Sequence, residues 1–142
     1  MNLSALVKAA ERRLKRIERT LAFDLLRGDE RRADKRRYRQ YAKVAVGDYV
    51  AAGEEIELHR SVLYWKSAYN WDDESPSTWN EWTCVPVDRI GPDCVRVFLP
   101  RRGSHPIPVG DFVRAVVRGH VREPVNTTPT TGVEGCSPCS SS

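Results

Sequence analysis

The chain has 142 residues, of which 30% are charged, and its formal net charge is +4. This length fits one domain with appended segments. No run of 18 apolar residues occurs, and Lys8, Arg12 and Arg13 interrupt any apolar start, so we expect neither a membrane-spanning helix nor a secretory signal peptide. The expected location is intracellular or virion-associated.

The charge is distributed unevenly along the chain. Residues 1–43 hold 14 Lys and Arg against 6 Asp and Glu, whereas residues 44–142 hold 9 against 13. A basic arm on a mildly acidic body indicates that the arm meets something anionic. The alternative is a solvated helix whose charges serve solubility and pair with each other four residues apart. We divide the chain into a basic helical arm (1–43), a β domain (44–122) and a flexible tail (123–142).

The arm begins with apolar residues at alternating steps of four and three, which predicts a helix with a heptad seam over 3–21. The seam consists of Leu3, Val7, Ala10, Leu14, Ile17 and Leu21. So short a coiled coil is marginal by itself. We therefore expect the seam to pack on another helix, on another subunit or on the β domain.

A second helix is predicted over 29–42, after a break near Gly28. This stretch has almost no apolar face, so packing does not explain it. Its cations form the densest basic patch of the chain: Arg31, Arg32, Lys35, Arg36, Arg37 and Arg39. With Tyr38 and Tyr41 between them, they suit contact with phosphates and bases. A localisation-like basic run, or a docking surface for an acidic protein, is the alternative.

The phrase Val-Gly-Asp-aromatic-Val begins at Val46 and again at Val109. Each copy predicts a Gly-Asp turn that starts a strand, and we expect these to be the first and last strands of one small domain. A structural role is predicted for the Gly-Asp pairs of both copies: Gly47, Asp48, Gly110 and Asp111.

Alternating apolar and polar residues between the two copies predict further strands. They cover 56–59, 62–65, 82–87 and 94–99, and a Pro-rich link at 105–108 leads to the last strand at 112–118. The pattern predicts a mainly β fold, a small barrel of five to six strands preceded by the helical arm and followed by the tail.

Two segments resemble parts of SH3-like small barrels. The run Ile107-Pro108-Val109-Gly110-Asp111-Phe112-Val113 looks like the last turn and strand of that fold, and Trp79-Asn80-Glu81-Trp82 is similar to its tryptophan-bearing strand. The resemblance covers roughly residues 44–119 and implies an SH3-like barrel. It leaves function open, because such barrels occur in signalling adaptors, chromatin readers, ribosomal proteins and viral head-tail connectors.

An acidic loop at 72–77 is surrounded by tryptophans, namely Trp71, Trp79 and Trp82. Tryptophan is enriched in interaction hot spots, so this stretch could be an interaction loop. The alternative is that these side chains close one end of a small core.

The tail is rich in Thr, Ser and Pro and carries a Cys-x-x-Cys pair at Cys136 and Cys139. Such a pair suits half a zinc site, a redox pair or disulfides between the tail and a neighbouring chain in an assembly, but the second half of a zinc knuckle is missing. Two free cysteines are the simpler expectation. Cys84 and Cys94 lie on predicted strands and could pair, although two buried thiols are the simpler expectation.

The sequence offers no phosphate loop, nucleophile elbow or histidine cluster, so we expect no enzyme, cofactor, metal or small-molecule substrate. We expect a non-enzymatic structural or assembly protein of a large complex. That complex would be a virion, with this chain as a phage head-tail or capsid-associated component, or a nucleoprotein particle. The arm would pack on neighbouring protein subunits in an oligomer. The alternative is a regulator that binds DNA or RNA through the basic arm, and an enzyme is the remote third class.

Overall fold

A computed structural model of the chain describes residues 1–64, 81–99 and 103–124. The helices are α1 (Leu3–Lys15), α2 (Glu18–Leu26), α3 (Glu30–Tyr41), the short α4 (Ser61–Tyr64) and α5 (Val109–Val117), with a 3₁₀ turn at Val46–Asp48. The strands are β1 (Glu55–His59), β2 (Trp82–Ile90), β3 (Cys94–Leu99), β4 (Gly103–Pro108) and β5 (Val121–Arg122).

The five strands form one antiparallel sheet in the order β4-β3-β2-β1-β5. Glu57 pairs with Cys84 on β2 and with Arg122 on β5, and a register shift between Val87 and Arg89 marks a bulge. Within the described residues β4 and β5 lie at opposite edges, so the sheet is open. The predicted barrel and the mainly β class are therefore not confirmed; the fold combines a small antiparallel sheet with helices.

One face of the sheet carries the core. Its strands alternate, so that Ile56, Leu58, Val85, Val95 and Val97 are all fully buried. Alternation of this kind is expected where only one face of an antiparallel sheet is covered. Helix α5 contacts β3, β4 and β5, and it also contacts α1 and α3. It therefore joins the sheet to the helical layer.

Both copies of the repeated phrase are helical, which corrects the prediction of two strands. Val46–Asp48 forms the 3₁₀ turn, and Val109 starts α5. In α5 the buried side chains Val109, Phe112, Val113 and Val116 recur at the helical spacing of three and four residues. A short apolar run is compatible with either a buried helix or a buried strand, and here packing on the sheet selects the helix.

Three other predicted segments also differ in the structure. The Pro-rich link at 105–108 belongs to β4, and Ser61–Tyr64 is a short helix where a strand was predicted from Val62. Because β4 is followed by a helix, the last turn and strand that the SH3-like resemblance implies are absent from 107–113. Strands β1, β2 and β3 include the predicted segments 56–59, 82–87 and 94–99.

A candidate anion-binding surface on α2 and α3

Helices α2 and α3 form a helical hairpin. Gly28 has φ of 75° and lies between them, where the left-handed conformation suits glycine. Asp29 caps α3, since its Oδ1 accepts a hydrogen bond from the amide of Arg32 at 3.1 Å. The amide of Asp29 also donates to the carbonyl of Asp24 at 2.9 Å. The turn is therefore closed by hydrogen bonds on both sides.

A buried ion pair holds the hairpin together. The guanidinium Nε of Arg36 on α3 lies 2.6 Å from Oδ2 of Asp24 on α2. The Asp24 side chain is 5% exposed, whereas that of Arg36 is 34% exposed. A carboxylate this deeply buried needs a charged partner. Arg36 is therefore a structural residue of the hairpin as well as a cation of the basic patch.

The remaining cations of α3 form an open row. Arg31, Lys35 and Arg39 follow one another at four-residue steps, so they lie on one side of the helix. All three are exposed, and none makes an ion pair within the part of the chain that the structure describes. A concavity of about 440 Å³ runs along this side. It is lined by Asp29, Arg31, Arg32, Lys35, Arg36 and Arg39.

A second concavity, of about 380 Å³, lies between α2 and α3. It is lined by Arg19, Thr20, Phe23, Asp24, Arg27, Asp29, Arg32 and Arg36. The two concavities adjoin, since they share Asp29, Arg32 and Arg36, and we call them together the hairpin groove. On the α2 side, Arg19, Phe23 and Arg27 also follow at four-residue steps.

Sequence reasoning missed the α2 side of this groove. No functional role was assigned to Arg19, Phe23 or Arg27 from the sequence. Their regular spacing of four residues was visible in the sequence. What the sequence did not show is that Asp24, three residues from Leu21, faces inward and turns Phe23 toward solvent.

Of the predicted anion-contact residues, five line the groove and one does not. Arg37 lies on another side of α3, where its charge acts on the hydroxyl of Tyr41. Burial raises the pKa of Tyr41, and Arg37 partly opposes this shift because a nearby cation favours the phenolate. Arg37 is therefore a neighbour of the α3–α5 packing and not a groove residue.

The inner side of α3 is fixed to α5 by Tyr38. The Arg114 guanidinium carbon lies 5.0 Å from the centroid of the Tyr38 ring, and Arg114 Nη1 lies 3.4 Å from Asp34 Oδ2. Burial raises the pKa of Tyr38, and the charge of Asp111 and a hydrogen bond to it raise it further. Gly110 lies against the ring, which makes it a packing residue within a helix and not part of the predicted turn.

None of the predicted seam residues is exposed, since each is buried or partly buried. Leu3 and Ala10 are buried in the chain's own core, together with Leu6, which the seam did not include. Val7 and Leu14 are partly buried against that core. The helix is interrupted at Ile17, so the seam does not run along one continuous helix. Contact of this seam with a neighbouring subunit stays a prediction.

Trp82, from the predicted interaction loop, begins β2. The guanidinium carbon of Arg122 lies 3.7 Å from the centroid of its ring, and His59 meets the ring edge-on at 5.2 Å. Arg122 also pairs with Glu57 at 2.6 Å. Trp82 therefore packs on the outer face of the sheet. Trp71 and Trp79 lie outside the described residues.

The cysteines of the sheet do not pair with each other. Cys94 is a free, half-buried thiol, whereas Cys84 is disulfide-bonded, so the expectation of two buried thiols was wrong for Cys84. Cys136 and Cys139 lie outside the described residues. Within 1–64, 81–99 and 103–124, no three His, Cys, Asp or Glu side chains are grouped so that they could hold a metal ion.

Comparison with known proteins adds no relative. The chain matches no protein-family model, no curated protein and no solved structure. Among the described residues, no helix has both the length and the apolarity needed to cross a membrane. The hairpin groove therefore has to be interpreted from its own chemistry.

Proposed function

We propose that the protein is a non-enzymatic component of a nucleoprotein assembly, such as a virion or another nucleoprotein particle, and that its hairpin groove holds nucleic-acid phosphates. The observation that supports this most directly is the open cationic row of Arg31, Lys35 and Arg39. The fold uses Arg36 by pairing it with Asp24. These three are left available to an external anion.

The groove has the composition of a site for a polyanion. Seven cationic side chains line it: Arg19, Arg27, Arg31, Arg32, Lys35, Arg36 and Arg39. Only two carboxylates, Asp24 and Asp29, line it as well, and each already pairs with an arginine. Neutralising several phosphates releases their counterions, which makes binding strong at low salt and independent of base sequence. This is what a packaging or assembly protein requires.

The proposal is tested by removing the open row and measuring binding to DNA and RNA over a range of salt. We expect the slope of log K against the logarithm of the salt concentration to become shallower by about two to three in the triple variant Arg31→Gln, Lys35→Gln and Arg39→Gln. Each phosphate contact contributes about 0.7 to 0.9 to that slope. Affinity at low salt should fall by at least tenfold.

The matched control removes three exposed cations of α1 by Lys8→Gln, Arg12→Gln and Lys15→Gln, which changes the net charge equally. Binding by this control should fall much less. Equal losses in the two triple variants would show a general charge effect and no groove. An unmodified chain that binds neither DNA nor RNA at low salt would overturn the proposal outright.

A further inference from the structure

We infer that the hairpin groove takes single-stranded nucleic acid and that one base stacks on the ring of Phe23. This inference rests on the proposed function, because it names the kind of nucleic acid that the same groove binds. It depends on a different residue, however, since the open cationic row of α3 includes no aromatic side chain.

Phe23 is unusually placed for a phenylalanine. Its side chain is 57% exposed, although the helix buries Leu21 two residues earlier. It lines the hairpin groove at the middle of a row, with Arg19 one helical turn before it and Arg27 one turn after it. The guanidinium carbon of Arg27 lies 5.4 Å from the centroid of the ring. At 1.5 Å of rise per residue, the two arginines are about 12 Å apart along the axis.

This alternation of cation, aromatic and cation suits a nucleic-acid strand, in which phosphates and bases alternate. A base that stacks on Phe23 would leave its flanking phosphates to Arg19 and Arg27 on either side. The opposite wall supplies Arg32 and Arg36. Grooves that combine a cationic track with an exposed aromatic side chain are typical of proteins that bind single strands without sequence preference.

The exposed ring favours a single strand over a duplex. Bases inside a duplex are already stacked on one another, so a duplex offers its phosphates but not a free base face. A duplex would use the open row of α3 and gain little from Phe23. The two carboxylates that line the groove do not oppose binding strongly, since Asp24 is paired with Arg36 and Asp29 caps α3.

The chain provides a matched control on the same helix. Leu26 is 87% exposed and apolar, as Phe23 is, but it does not line the groove. Phe23→Ala and Leu26→Ala therefore remove similar exposed apolar groups, one inside the groove and one outside it. Phe23→Tyr keeps an aromatic face at the same position.

The experiment measures fluorescence anisotropy of a labelled oligothymidine and of a DNA duplex of equal length, with the full chain and each variant. Phe23→Ala should weaken single-strand binding on the order of tenfold, the usual effect of losing one stacked base, and leave duplex binding within about twofold. Leu26→Ala and Phe23→Tyr should bind both probes like the unmodified chain. Circular dichroism confirms that each variant is folded.

The outcomes separate the two proposals. If the unmodified chain binds neither probe, the proposed function is rejected. Equal effects of Phe23→Ala on the two probes, or none on either, would reject only the stacking inference. If light scattering shows that Phe23→Ala instead dissolves an oligomer, the ring belongs to a protein interface and the inference is wrong.

Discussion

The two sides of α3 differ in whether their polar side chains meet a partner within the fold. On the inner side Tyr38 packs between Gly110 and Arg114, and Asp34 pairs with Arg114, so polar and aromatic groups hold the helix on α5. On the outer side Arg31 and Lys35 stand in solvent. A cation contributes to this fold where a carboxylate meets it, and otherwise it remains available for binding.

Arg36 lies at the boundary between these two sides and shows the difference within one residue. It lines the hairpin groove, yet its guanidinium is held at 2.6 Å from the buried Asp24. Charge reversal at Arg36 would therefore test stability and binding together. Experiments on the groove need Arg31, Lys35 and Arg39, whose replacement should leave the free energy of unfolding nearly unchanged.

The largest effect on stability is expected for Arg36→Ala. It leaves the Asp24 carboxylate buried without its cation, and we expect a loss of about 2–3 kcal/mol, slightly below that of a fully buried pair because Arg36 is partly exposed. Urea denaturation measures this loss. Lys35→Ala, one residue away on the open side, should change stability by less than about 0.5 kcal/mol. Equal effects of the two variants would remove the distinction between the sides.

A smaller loss is expected for Gly110→Ala on the inner side. The added Cβ would lie 2.7 Å from Cζ of Tyr38, and the ring is confined by Arg114, so the overlap has little room to relax. We expect a net loss of about 1–2 kcal/mol, because overpacking exceeds the gain of alanine over glycine in a helix.

The other copy of the repeated phrase provides the control for that variant. A Cβ on Gly47 would lie 3.8 Å from Cγ2 of Ile90, which is ordinary contact. Gly47→Ala should therefore change the thermal midpoint very little. A midpoint that falls as far for Gly47→Ala as for Gly110→Ala would mean that the Tyr38 contact is unimportant.

The smallest effect is expected for Tyr38→Phe, about 1 kcal/mol, from loss of the hydrogen bond to Asp111. The pKa of Tyr38 is raised in the folded chain, so the unfolded chain ionises first, and this residue's contribution is lost as pH rises above about 10. The unmodified chain should accordingly lose stability more steeply with alkali than Tyr38→Phe. If the free energy of unfolding fell equally with rising pH in the unmodified chain and in Tyr38→Phe, the result would contradict a buried Tyr38 hydroxyl that is hydrogen-bonded to Asp111.

Local sequence signals identified several elements well. The spacing of apolar residues by three and four predicted the first helix, and Gly28 marked the turn of the hairpin. The alternation of apolar and polar residues marked β1, β2 and β3. These signals succeed because helix periodicity, a left-handed glycine and strand alternation are each properties of a few neighbouring residues.

The repeated phrase shows where such signals fail. Val-Gly-Asp begins a 3₁₀ turn at Val46 and a buried helix at Val109, although the two copies are nearly the same locally. The second copy is helical because Val109, Phe112, Val113 and Val116 can be buried together only as a helix lying on the sheet. No window of seven residues contains that information.

The sequence by itself determined the basic arm, its break at Gly28 and the charge available on α3, because composition and spacing are local. Only the tertiary structure decided which of those charged side chains form ion pairs within the fold. Asp24 faces inward and pairs with Arg36, and the same rotation of α2 directs the row of Arg19, Phe23 and Arg27 to the groove. The free cations and the exposed ring follow from how two helices pack, which depends on contacts between distant residues.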